Sequence, residues 1–416
     1  MPLKPLLLSF FLIFLFFLTA SMGLAASSHQ DLQVFLDHWR IDHHISSVVV
    51  TTEDLPTKKI TTYTSGFTRR GAREPVTEKT VFGIGSITKT FVAATLLQLQ
   101  EEGKIKLDTP IGSYFPEYPR WSSITVRQLL NMTSGIANTD FSKERDDYEN
   151  TILTSKKIVT SIYQQPDLFA PGSEWRYSNT NYFLLGLLIE KISGVSFAEV
   201  ITTRFLKPLH LTHTFYSRLL PKLADVSEVQ GASGAQTRSV HEVLEDASTG
   251  ATQQFAAAVE LGKKSSDSFY SKDVMAQIAH AYAGKRDITT FNASHYGPAG
   301  SMLSDSTDLL TWTQALLTPG IILSAESIRE MEMTIAVPST PPKPEGCRYG
   351  LGIYSLDVLH LGTIWYYAGV IRGYTSCFIF IPSQQKIIVA QVATWPGEHF
   401  EVLFPNQPLM KKLLEE

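Results

Sequence analysis

Ser86-Ile87-Thr88-Lys89 sets a hydroxyl and an amine three residues apart, which on a helix is one turn along the same face. Gly83-Ile84-Gly85 before it and the apolar run after it predict a helix over 87–100, opened by Ser86 and stopped by Gly103. That setting gives a weak nucleophile three aids. A helix N-terminus favours developing negative charge, the Ser86 N–H is free to donate to an oxyanion, and the lysine can take the hydroxyl proton. Desolvation would lower the Lys89 pKa, as a base working near neutrality requires. About one S-x-x-K match is expected by chance in a chain of this length. A second does occur, Ser383-Gln384-Gln385-Lys386, but it follows Pro382 in a turn between β runs, where the lysine need not face the serine.

Tyr177-Ser178-Asn179 is the other constellation, placed just before an apolar helix predicted over 181–192 and stopped by Gly194. A tyrosine near a lysine can ionise or share its proton, acting as base to a serine and as acid to a leaving group. Asparagine offers a substrate amide both a donor and an acceptor. Tyr148-Glu149-Asn150 has the same spacing but sits in a charged stretch and reads as solvated surface. Other chemistries lack their residues. His241-Glu242-Val243-Leu244-Glu245 has no second histidine for a zinc-binding helix face, and His38, His43 and His44 read as surface histidines. Neither a G-x-S-x-G elbow nor a phosphate-binding G-x-x-x-x-G-K-[ST] occurs, so no metal or cofactor is expected.

Elements at both ends of the chain must position these groups. A helix is predicted over 30–38, strands over 45–52 and 59–67, and a further helix over 309–317. The last hundred residues are β-rich, with runs at 349–356, 363–367, 374–381 and 386–394. Strands at both ends with helices between them predict an α/β architecture of α+β type. In it an antiparallel sheet formed by both chain ends carries flanking helices and an inserted, mainly helical domain. The expected division is a sheet domain of residues 27–90 and 295–416 and a helical domain of 91–294, with the cleft between them. Residues 218–275, rich in Ser, Ala, Gln, Thr and Gly, read as a surface insertion with one helix near 253–261.

The chain resembles the serine hydrolases related to class C β-lactamases, D-alanyl-D-alanine carboxypeptidases and family VIII esterases. The resemblance runs from about Tyr63 to Thr394 outside the insertion. It is carried by the segments Phe82 to Lys89, Leu129-Leu130-Asn131-Met132-Thr133-Ser134-Gly135, Pro171 to Gly194, Gly297-Pro298-Ala299-Gly300-Ser301-Met302 and Asp308-Leu309. It implies a β-lactamase/transpeptidase-like fold, with Ser86 acylated, Lys89 and Tyr177 activating it, and Asn179 holding substrate. The family's third motif, K-T-G or H-T-G on a cleft-lining strand, falls here at Tyr367-Ala368-Gly369, followed by Gly373-Tyr374 and Pro382. Gly369 suits close approach to a strand, and the Val370 N–H would complete an oxyanion hole. Tyr367 and Ala368 replace neither the charge nor the hydroxyl that the family directs at a substrate carboxylate, and Arg372 is the candidate positive partner. Tyr367, Ala368, Gly369, Val370 and Arg372 therefore join Asn179 as expected substrate contacts. The implied substrate is a D-Ala-D-Ala type peptide, as in peptidoglycan, or a β-lactam amide. Some esterase members tolerate an aromatic at the motif's first position, which makes a carboxylesterase the first alternative. A non-catalytic binding protein retaining the fold is the second. Met132, where relatives often have His, is expected only to alter packing.

Composition narrows the partners. With 44% hydrophobic and 18% charged residues the 416-residue chain is globular, and a net charge of −4 offers nucleic acid no basic footprint. A small-molecule or peptide substrate is the expected partner. Lys4, the apolar run from Leu6 to Leu18 and the small residues up to Ala26 read as a signal peptide over 1–26, placing the mature protein in the periplasm or outside the cell. Membrane contact is expected only if that segment is retained. Cys347 and Cys377, the only two cysteines, allow either a disulfide or two free buried thiols.

Overall fold

The computed structural model describes residues 31–139, 154–216, 276–283, 285–289, 293–338, 344–393 and 407–415, together with 229–230, 237–238, 403 and 405. The expected signal segment, Tyr148 to Asn150, the helix near 253–261 and nearly all of the 218–275 insertion lie outside these residues.

An eight-stranded antiparallel sheet organises the described chain, in the order Ile335–Ala336, Arg348–Tyr349, Tyr354–Val358, Gly362–Ile371, Tyr374–Ile381, Lys386–Ala393, Ser47–Asp54 and Lys59–Gly66. The two ends of the chain meet between the sixth and seventh strands of this order, where Ser47 pairs with Ala393 and Asp54 with Lys386. The strands at this junction are buried on both faces, which is why Val48, Val49, Val50 and Ile387, Ile388, Val389 are consecutive apolar residues rather than an alternating pattern. The run expected over 349–356 is instead two strands. The Gly350 N–H donates to the Ile353 carbonyl at 2.8 Å and Gly352 has φ +76°, turning the chain back on itself. The run expected over 363–367 is longer than foreseen, so Tyr367, Ala368 and Gly369 lie inside a ten-residue strand.

Helix Thr88–Glu101 buries eleven of its fourteen residues, so it is enclosed on all sides and forms the central element of the helical layer. Phe91 stacks on Trp312 of helix Ser306–Leu317, with ring centroids 3.6 Å apart, and the Trp312 indole N–H donates to Thr90 at 2.9 Å. That second helix packs on strands Lys386–Ala393 and Ser47–Asp54, where Thr51 and Ser306 hydroxyls meet at 2.8 Å. The floor of the site is thus tied to both halves of the sheet. The helix at 31–42 bonds to the edge strand through Gln33 to the Thr64 carbonyl and Arg40 to Ser65.

Candidate active site

Ser86 lies in a 3-10 turn, Gly85–Ile87, just ahead of the central helix rather than in its first α-helical turn. Gly85 adopts φ +49°, and the Thr88 hydroxyl donates back to the Gly85 carbonyl at 2.7 Å, which closes the turn. Lys89 is 0% exposed, and its Nζ faces three oxygens: Ser86 Oγ at 2.9 Å, Asn179 Oδ1 at 2.9 Å and the Ala299 carbonyl at 2.5 Å. Burial holds its pKa well below the ordinary lysine value. A neutral amine has two N–H bonds, which satisfy the Asn179 and Ala299 oxygens, and its lone pair is then left for the Ser86 proton.

The Tyr177 hydroxyl donates to Ser86 Oγ at 2.7 Å. Part of the ring meets solvent, but its hydroxyl end is enclosed, and burial pushes the phenol up to about 12 against the lowering effect of its bond to Ser86. Burial therefore disfavours the ionised tyrosine that the sequence allowed. Tyr177 thus faces Ser86 as a hydrogen-bond donor, and the Lys89 amine meets the same oxygen. Asn179 opens helix Asn179–Ser193, with its own N–H donating to Asn138 Oδ1 at 2.7 Å. Its side-chain acceptor is spent on Lys89, so the amide N–H bonds are what it can offer a substrate.

Strand Gly362–Ile371 passes directly beneath the nucleophile turn. A Cβ on Gly369 would fall 1.9 Å from the Ile84 carbonyl oxygen and 2.8 Å from the Ser86 nitrogen. The close approach that requires glycine is by the nucleophile's own backbone, not by substrate. On the other side, a Cβ on Gly85 would fall 2.6 Å from the Val370 nitrogen, so the Ser86 and Val370 amides border the same space. Strand alternation sends the Ala368 and Val370 side chains to the opposite face from Gly369, which leaves these two residues only their main chain with which to meet a substrate. Tyr367 is 1% exposed, with its hydroxyl at 3.1 Å from that of Tyr349, so its side chain is spent in the core rather than offered as the expected substrate contact. Burial raises the pKa of the Tyr296 phenol, and the charge of Arg372, in the turn after the strand, partly offsets that rise.

A sequence-family model described as Beta-lactamase matches residues 23–407. This chain belongs to the beta-lactamase family. Similar solved structures include a D-stereospecific amidohydrolase from Streptomyces sp., 26% identical over 91% of this chain and 98% of that one, with TM-score 0.63. A D-amino acid amidase from Ochrobactrum anthropi SV3 shares the fold at 20% identity, TM-score 0.70, covering 94% and 99%. A penicillin-binding protein of Bacillus subtilis (strain 168) is 30% identical over 172 residues, 38% of this chain and 36% of that protein. Protein flp of Staphylococcus aureus (strain COL) is 34% identical over 144 residues, which is 33% of this chain and 28% of flp. The chain thus spans about a third of the length of these curated relatives.

Several residues of this beta-lactamase-family protein gain roles from contacts that spacing did not show. Ala299 presents its carbonyl to Lys89 because the short helix Gly297–Gly300 packs on Gly186, where a Cβ would lie 2.2 Å from the Pro298 ring. Met132 does more than fill space. It sits at φ +67°, its sulfur accepts from the Ser178 N–H at 3.4 Å, and its carbonyl accepts from Arg176, so it anchors the Tyr177 segment. Asp308 accepts from the His213 N–H and the Thr214 hydroxyl, pinning a loop to helix Ser306–Leu317. Ser383 of the second S-x-x-K donates to the Leu361 carbonyl and opens no catalytic pair. His43 Nδ1 is bonded to the Trp39 carbonyl at 2.8 Å. Cys347 and Cys377 are both buried free thiols.

Proposed function

We propose that this protein is exported and hydrolyses an amide through an acyl-enzyme on Ser86, its substrate a D-Ala-D-Ala type peptide or a β-lactam. The observation that carries the reading is the Ser86 hydroxyl held between the Lys89 amine at 2.9 Å and the Tyr177 phenol at 2.7 Å. Lys89 takes the Ser86 proton as Oγ attacks the carbonyl carbon, and the Ser86 and Val370 N–H groups receive the oxyanion. Tyr177 protonates the leaving nitrogen, and water then cleaves the ester on Ser86 by the reverse proton path. The amide preference draws on the amidohydrolase and amidase named among the structural neighbours. A carboxylesterase is the second reading, favoured by the phenol at Tyr367, which brings no cation to the substrate side.

Labelling with a fluorophosphonate and with a labelled penicillin, mapped by mass spectrometry, tests the first step. Both are expected on Ser86 and absent in Ser86→Ala, and an unlabelled Ser86 refutes it. Hydrolysis of nitrocefin, a D-Ala-D-Ala peptide, a D-phenylalanine amide and a short-chain nitrophenyl ester separates the substrate readings. Export is tested by the N-terminal sequence of the mature protein, expected to begin near residue 27. Neither a nucleic acid nor a membrane is proposed as a partner of the processed chain.

A further inference from the structure

Three side chains that the proposed reaction does not use converge where strand Met302–Ser304 runs into helix Ser306–Leu317. His213, Asp305 and Asp308 each bring one donor atom, and the three atoms lie within 4.8 Å of one another. Asp305 is 0% and Asp308 7% exposed, whereas the His213 side chain is 25% exposed and so gives the group an opening to solvent. Asp305 caps the helix, its Oδ1 accepting from the Asp308 N–H at 2.7 Å and from the Thr307 hydroxyl at 2.9 Å. Its Oδ2 is thereby held in place, buried, and accepts no hydrogen bond from the described residues. His213 Nδ1 lies 3.2 Å from that oxygen but out of line for a hydrogen bond.

The loop that carries the imidazole is fixed to the same carboxylates. Asp308 Oδ2 accepts from the His213 N–H at 2.8 Å and from the Thr214 hydroxyl at 2.9 Å, which leaves Oδ1 for a ligand. The Thr214 hydroxyl also meets that of Ser304 at 2.9 Å, and Phe215 pairs with Leu303, so the ring is delivered by a firmly bonded loop. Enclosing two carboxylates side by side costs free energy that a cation between them removes. Burial and the neighbouring Asp305 charge both raise the Asp308 pKa, in keeping with that cost. Lys79 stays outside, with its ammonium on the Thr307 hydroxyl at 3.2 Å. A protonated His213 would offset one of the two charges, whereas a divalent cation offsets both and uses the lone pair of a neutral ring. The exposed Thr212 hydroxyl, 3.3 Å from Nδ1, would give up that contact to the cation.

We propose that His213, Asp305 and Asp308 form a zinc site that fastens the 212–216 loop to helix Ser306–Leu317. One imidazole nitrogen with two carboxylate oxygens is a donor set that suits zinc, whereas calcium and magnesium take oxygen ligands alone. Zinc bonds of about 2.0–2.2 Å set tetrahedral ligands roughly 3.3–3.5 Å apart. The 3.2 Å between Nδ1 and Oδ2 is already close to that spacing. Asp308 has only to turn its free oxygen inward, and water takes the fourth position. The strand leading into the site pairs Ser304 with Phe82, just before the nucleophile turn, so the cation also braces the support of that turn. His213 and Asp308 stand 95 residues apart, which is why no motif spacing announced the site.

The full chain, stripped with EDTA and dialysed, is titrated with zinc chloride by calorimetry and melted with and without the metal. One zinc per chain is expected, and zinc at about 100 times its dissociation constant should raise the melting temperature by about 3–5 °C. Magnesium at the same concentration should do neither. His213→Ala removes the nitrogen but keeps the backbone N–H that bonds to Asp308, and Asp305→Asn keeps the Oδ1 cap while removing the charge. Each should bind zinc at least about 100-fold more weakly, more than the loss of an outer contact costs, and should still show a cooperative melt without metal. His38→Ala, at an exposed histidine elsewhere, should bind as the wild type does. No zinc bound by the stripped wild type overturns the site, and so does binding kept in both His213→Ala and Asp305→Asn. An equal rise with magnesium overturns the choice of zinc. If Asp305→Asn does not melt cooperatively, His213→Ala decides alone, and zinc binding kept there overturns the site.

Discussion

Gly369→Ala adds one methyl group where the strand and the nucleophile turn touch. The new Cβ would sit 1.9 Å from the Ile84 carbonyl oxygen, 2.8 Å from the Ser86 nitrogen and 2.9 Å from the Ile87 nitrogen, all of them backbone atoms that no rotamer change can move. Relieving the first contact requires the strand and turn to separate by more than about 1 Å, an overpacking cost of about 1–3 kcal/mol. The same movement draws the Val370 N–H away from the oxyanion position, and a displacement of that size costs about 100-fold in rate. Gly362→Ala is the comparator, on the same strand at φ +74° with open space around its Cβ. It should lose about 1 kcal/mol of stability through backbone strain alone. Stopped-time fluorophosphonate labelling of Ser86 together with thermal unfolding reads both variants. Gly369→Ala should label about 100-fold more slowly and Gly362→Ala at the wild-type rate. A Gly369→Ala protein with wild-type labelling and melting temperature would refute the assignment of this glycine to the nucleophile turn.

Lys89 sets the pH dependence. Burial depresses its folded-state pKa below the ordinary 10.5, so between the two values the unfolded chain binds a proton that the folded chain does not. Stability contributed at this site therefore rises with pH across that interval and falls as pH drops. The Ser86 labelling rate should rise with pH and level off well below 10.5, whereas a rise centred near 10.5 would show Lys89 charged in the free enzyme. Asn179→Ala removes one of the two acceptors that orient the amine, and a 10- to 100-fold slower labelling, of the order that misplaced catalytic groups cost, is expected with little change in melting temperature. Cys347 and Cys377 are 2% and 0% exposed, and burial also raises the Cys377 thiol pKa. A thiol reagent should find no reactive group in the native protein and two after unfolding, and a reductant should leave the melting temperature unchanged; one or no thiol after unfolding would contradict the free state.

The pairing of Ser86 with Lys89 was legible because it is local. Three residues of helical spacing bring the two groups together whatever the rest of the chain does. Tyr177 and Asn179 were recognisable by pattern, yet their arrival at Ser86 and Lys89 spans about ninety residues of sequence and depends on helix Asn179–Ser193 packing beside the central helix. The Ala299 carbonyl had no signal of its own, since any residue supplies a carbonyl and only packing aims it. The third motif misled for the same reason. Tyr367 differs from the Lys or His of relatives, and residue type alone does not say whether a phenol turns toward the substrate or into the core.

By itself the sequence determined the order of elements, a sheet shared by both ends of the chain, and the pairing of Ser86 with Lys89, because these follow from periodicity and short-range spacing. Tertiary structure decided the burial that shifts the pKa of Lys89 and Tyr177 and what each third-motif residue touches. Those outcomes depend on desolvation and on contacts between Ser86, Tyr177, Tyr367 and Tyr349, whose separation in the chain leaves no periodic trace.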